Sequence, residues 1–242
     1  MVYWYFKRRF QYGVWGYSAL AYFVAIALKY AVQLPTINMV TGYFGEHSVG
    51  LGVYYGLQTV FFEVGLAFLV AWYAVKSGKL DRKDAEAYGS ALAFWENAVY
   101  LGAFTLLNLV GIYAILSSNT PIAQTVYSQL MKSQPGLFAP ASQVLGQVAL
   151  ATVERISSIL FHFAWGYLCI MAAVYNKKRL FLIALPMGFV DFLVPFVTQG
   201  TIAIFEAAIF ALSVVSLLVA WYATKQLRKA SENEVVLPKS DA

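Results

Sequence analysis

Apolar residues along this chain gather into six long runs, at about 13–34, 50–75, 88–116, 147–175, 180–198 and 201–224. Each is close to the roughly 20 apolar residues that a helix needs to cross a bilayer. The punctuation between them is polar or helix-breaking. Pro35 ends the first run, and 76–84 (KSGKLDRKD) follows the second. A long, weakly charged stretch at 117–143, with Pro121, Pro135 and Pro140, follows the third, and Asn176, Lys177, Lys178 and Arg179 follow the fourth. Pro186 and Pro195 interrupt the fifth run, which bends or unwinds it and frees backbone carbonyls beside Asp191. The pattern predicts an all-α polytopic membrane protein, with about six transmembrane helices in a single domain over 1–230. A polar, mobile tail is expected at 231–242. The first run follows Lys7, Arg8 and Arg9, as a signal peptide would. It is too long for one and lacks a cleavage site, so a retained helix is expected.

Composition agrees with that pattern. Of 242 residues, 60% are hydrophobic and 12% charged, against about a quarter charged in soluble domains. The net charge of +5 does not point to nucleic acid, because the basic residues sit in short clusters between apolar runs. Those clusters lie before span one, between two and three, between four and five, and after six. The opposite loops hold only Lys132. By the positive-inside rule both termini are expected in the cytoplasm, with the protein a multi-pass component of the cell membrane. The sequence LVAWYA followed two residues later by Lys occurs at 69–76 and 218–225, each time at a cytoplasmic end, where an aromatic belt and an anchoring Lys belong. The single cysteine, Cys169, excludes an internal disulfide.

The chemistry lies in ionisable residues inside the apolar runs. Counted from the cytoplasmic ends, Glu63, Glu96, His162 and Asp191 each lie roughly 9–13 residues deep, about 14–20 Å at the helical rise. Glu154, Ser158 and His162 step by four along one helix face, with Arg155 beside Glu154. Any one such group alone is accounted for by hydrogen bonding within a bundle. Four at one depth point to a shared site, since charged groups in hydrocarbon are costly and are retained for function. Small residues beside them, Gly52, Gly56 and Thr59 near Glu63 and Gly89 and Ala93 near Glu96, let helices approach closely. Such a donor set would suit zinc or another divalent metal held by His162, Asp191 and Glu96, and equally a metal-free proton relay. Lys29 and Glu206 fall toward the outer half, where snorkelling or a mutual pair accounts for them. His47, beside Glu46, is expected to be solvated. P-loop, Rossmann, H-E-x-x-H and G-x-S-x-G signatures are all missing.

From the opening GVWGYSALAYFVAIALKYAVQLP through the fifth run, the chain resembles the YhfC-type intramembrane metalloproteases, distant relatives of the CAAX-processing and bacteriocin-processing membrane proteases. Phe61-Phe62-Glu63-Val64-Gly65-Leu66 looks like that family's first motif, and Ala91-Leu92-Ala93-Phe94-Trp95-Glu96 like its second. The Glu154-Arg155…His162 spacing looks like its third, and Met187-Gly188-Phe189-Val190-Asp191 like its last. On this matching Phe62 replaces a glutamate, Leu66 an arginine, and Leu92 and Met187 each a histidine. The resemblance implies catalytic roles for Glu63, Glu96, Glu154 and Arg155, with a carboxylate as general base and Arg155 orienting Glu154 or the oxyanion. It also implies a transmembrane segment of a protein or peptide as substrate. The replaced histidines favour a non-catalytic relative instead, a scaffold or a subunit paired with partner membrane subunits. A small proton-coupled transporter is the third alternative, favoured by the broken fifth run and disfavoured by the missing inverted repeat.

Overall fold

In a computed structural model of the protein, residues 11–118, 120–198 and 200–236 are described. The fold is 90% helical, with no strand among the described residues. Six helices are long and apolar enough to span a membrane. They are α1 (Tyr12–Phe44), α2 (Val49–Lys76), α3 (Arg82–Leu116), α5 (Ala141–Val174), α6 (Lys178–Phe196) and α7 (Ile202–Val236), with the short α4 (Pro121–Ser133) between α3 and α5. Helix α7 runs into the segment expected to be a polar tail. Residues 237–242 of that tail lie outside the described residues.

Local chemistry sets the boundaries. Ser48 caps α2, its hydroxyl accepting from the Leu51 N–H at 3.1 Å. Asp81 and Asp84 form a reciprocal capping box at the start of α3. Thr120 caps α4 ahead of Pro121, a residue whose missing N–H costs nothing at a first helical position. Gly78 and Asn176 take left-handed backbone conformations in the two basic turns, at φ 67° and 51°.

One boundary departs from expectation. Helix α1 does not stop at Pro35 but runs on to Phe44, leaving a turn of four residues, Gly45 to Ser48, before α2. The Thr36 hydroxyl donates to the Val32 carbonyl at 2.6 Å, strengthening the turn that the proline weakens. His47 is not simply solvated. Its Nδ1–H donates to the Pro195 carbonyl at 2.5 Å, tying this turn to the end of α6.

Helix α5 is the axis of the bundle. In its most apolar window 72% of residues are buried, against 17% in α1 and in α7. It packs against α3, α7, α6 and α2, while α1 lies over α2 and α3, and α6 folds onto α2. Two contacts are so close that only glycine fits. A Cβ on Gly89 would sit 2.4 Å from the Phe163 carbonyl oxygen, and one on Gly166 2.7 Å from the Gly89 Cα. Backbones of α3 and α5 thus touch about two turns from Glu96 and one turn from His162.

Candidate functional site: a chain of alternating acidic and basic groups

Three of the helices lose regular α geometry where they carry a carboxylate. Glu63 lies in a π-helical segment of α2 (Thr59–Val64) and Glu96 in one of α3 (Trp95–Ala103). Asp191 lies where α6, after Pro186, tightens into a 3₁₀ helix (Phe189–Phe196). Wider or tighter turns redirect side chains relative to the regular period, which is why such turns gather at functional sites. His162 projects from regular α5 and is 5% exposed.

These residues form one continuous run of alternating acidic and basic groups. Lys29 Nζ lies 2.6 Å from Glu63 Oε1, 3.1 Å from Asp191 Oδ2 and 2.8 Å from Thr59 Oγ1. The Thr59 hydroxyl donates in turn to Asp191. On the other side of Glu63, its Oε2 is 3.5 Å from His162 Nε2, which is 2.7 Å from Glu96 Oε2. Glu96 Oε1 is 3.8 Å from Arg155 Nη1, and Arg155 pairs with Glu154. Asp191, Lys29, Glu63, His162, Glu96, Arg155 and Glu154 therefore follow one another through five helices.

Supporting hydrogen bonds fix the centre of this run. His162 Nδ1 is 2.9 Å from the Ser158 carbonyl, an atom that only accepts, so Nδ1 carries a proton and Nε2 is aimed at the glutamates. The Ser158 hydroxyl donates to Glu96 Oε2 at 3.0 Å. Asn97 donates to Ser158 Oγ at 3.2 Å and accepts from Arg155 at 3.4 Å. Nε2 itself makes no well-directed hydrogen bond despite its closeness to Glu96, so the imidazole keeps bonding capacity at that nitrogen. Beside the run lies a cavity of about 550 Å³. It reaches from Glu63, Glu96 and His162 to Val197 and Ile202, at the turn between α6 and α7.

All six residues singled out from the sequence, Glu63, Glu96, Glu154, Arg155, His162 and Asp191, line this one cavity. Lys29 is the correction. It was expected in the outer half beside Glu206, but because α1 continues past Pro35 it stands seventeen residues from one end of the helix and fifteen from the other. Lys29 is thereby placed within the cluster and engaged with Glu63 and Asp191, not with Glu206. The helix length was the missing signal.

A metal does not fit this donor set. Only one imidazole is present in the cluster, and the carboxylates around it are already engaged by Lys29, Arg155 and His162. Leu92 and Met187 are buried in the apolar core. Neither offers a hard donor to a metal. Among the described residues no three of His, Cys, Asp or Glu are arranged to hold an ion.

The family model of the YhfC intramembrane metalloproteases matches residues 1–211, and the chain belongs to that family. No curated protein and no solved structure matches it. The family's description implies a metal ion, which the residues of this chain, as placed, do not accommodate.

Proposed function

We propose that this YhfC-family protein binds a membrane-embedded peptide segment in the cavity and hydrolyses it without a metal, using Glu96 and His162. The observation that carries this is the convergence of Glu96 Oε2 and Glu63 Oε2 on one imidazole nitrogen at the cavity wall. Glu96 is the base: unlike Glu63 it is not held by Lys29, and it stands closer to Nε2. It takes a proton from a water that attacks the scissile carbonyl. Glu96 hands that proton to His162 Nε2, which delivers it to the departing amine as the C–N bond breaks, giving one new carboxylate and one new amine. Arg155 supplies positive charge to the oxyanion formed on the way. The Ser158 carbonyl holds the imidazole in the tautomer this requires.

A specific observation favours a second reading, a non-catalytic peptide-binding member of the family. Lys29 locks Glu63 and Asp191 into ion pairs that leave them unavailable for proton transfer. One experiment separates the two. Fluorescent single-span peptides are incubated with the protein in nanodiscs and the fragments are weighed by mass spectrometry. Hydrolysis is expected in the wild type, unaffected by chelators, and reduced about 100-fold or more in Glu96→Gln and His162→Gln. Intact peptide that stays bound supports the non-catalytic reading. Cleavage abolished by a chelator overturns the metal-free chemistry.

A further inference from the structure

Glu206, on α7, is 6% exposed, and its Oε2 is fully buried with no hydrogen-bond partner among the described residues. Its carboxylate makes no ion pair there either, although it lines the same cavity as the charge run. A buried carboxylate without a partner is costly, because it has lost water and gained nothing in return. The two permanent cations that line the same cavity are already engaged elsewhere. Lys29 is held by three oxygens, of Glu63, Asp191 and Thr59, while Arg155 is shared among Glu154, Asn97 and Glu96. Around the cavity, Glu63, Glu96, Glu154, Asp191 and Glu206 face only two permanent cations, Lys29 and Arg155, with His162 between the two glutamates. What fits such a wall is positive charge brought in from outside.

We propose that Glu206 is a recognition site for a basic side chain, a lysine or arginine, carried within the apolar segment of the bound peptide. It rests on the peptide-binding reading above and adds a substrate class to it. Glu206 is a specificity residue: it lies one turn into α7 from Ile202, at the end of α7 nearest α6, and lines the cavity without an ion pair to the Glu96–His162 pair. A basic residue inside an apolar segment is itself costly in the bilayer, so pairing with Glu206 relieves two penalties at once. A purely apolar segment leaves the carboxylate as it stands. That difference makes the site selective.

The test compares two synthetic 23-residue leucine–alanine peptides, one with a single central lysine and one with norleucine there. Binding to the wild-type protein is measured by fluorescence in phosphatidylcholine nanodiscs. The lysine peptide is expected to bind about tenfold or more tighter, as a charged hydrogen bond formed in a buried site requires. Glu206→Gln should erase the preference while leaving the affinity for the norleucine peptide unchanged. Glu206→Asp should keep part of the preference, showing that the charge matters and not merely the fold. Equal binding of both peptides to the wild type overturns the assignment of Glu206 while leaving the cavity a peptide site. Failure of both peptides to bind overturns the peptide-binding reading and the assignment together. Disappearance of the preference when phosphatidylethanolamine is added would identify the lipid amine as the ligand and also overturn the proposal.

Discussion

Lys29 is the residue on which the charge run turns, since a single ammonium compensates both Glu63 and Asp191. Removing one partner of a buried ion pair costs far more than the pair contributes, because the remaining charge stays buried alone. Lys29→Met is therefore expected to destabilise the protein by about 3–5 kcal/mol. Lys29→Arg, which keeps the charge, should lose much less. Thermal unfolding of detergent-purified variants would check both, and an unchanged midpoint for Lys29→Met would count against the pairing. The carboxylates and His162 were legible in the sequence as ionisable groups in apolar runs at one depth. Their partner Lys29 was not, because its depth was counted from a helix end placed at Pro35. Proline weakens a helix in water, where the freed carbonyls are solvated. In a bilayer Thr36 and the surrounding helix make continuation the better outcome.

At the scale of elements, closeness of α3 to α5 is what brings Glu96 within reach of His162 and Ser158. Gly166→Val should force these backbones apart and cost about 1–3 kcal/mol or more, the range for overpacking a filled core. Gly146→Ala on the same helix, where an added Cβ meets nothing within 4 Å, should be nearly neutral. Urea or thermal unfolding of the two variants side by side tests the contrast. The small-residue faces near Glu63 and Glu96 were visible in the sequence. The π-helical turns were not, since periodicity counts residues and a π turn changes the count itself. The weakly charged stretch 117–143 between spans holds α4, whose Ile122, Tyr127 and Met131 are exposed. Its prolines, read there as breakers, stand at the first position of α4, at the first position of the short 3₁₀ turn Pro135–Phe138 and just ahead of α5, where proline is tolerated. The later part of α3 (Phe104–Leu116) has no buried residue although it is almost wholly apolar, as expected of a helix solvated by lipid.

For the whole molecule, hydropathy alone was enough to count six spans, because each backbone crossing a bilayer must satisfy itself as a helix. Which helices touch is a matter of packing, and no run of apolar residues announces that α5 lies at the centre. Orientation rests on the basic clusters. If they face the cytoplasm, cysteines placed singly at Lys79 and Lys178 in a Cys169→Ala background should resist a membrane-impermeant maleimide in intact cells, and one at Gly45 should react. The opposite pattern would invert the topology. The route of the charge run also bears on how the chain is made. Lys29 and Glu63 lie on the first two spans to leave the ribosome and neutralise one another at once. Glu96 on the third must wait for His162 and Arg155 on α5. Asp191, on α6, is made later still and finds Lys29 already in place. A chain halted after α3 thus leaves an uncompensated acid in the membrane, and such a fragment should hold together less well than the full bundle.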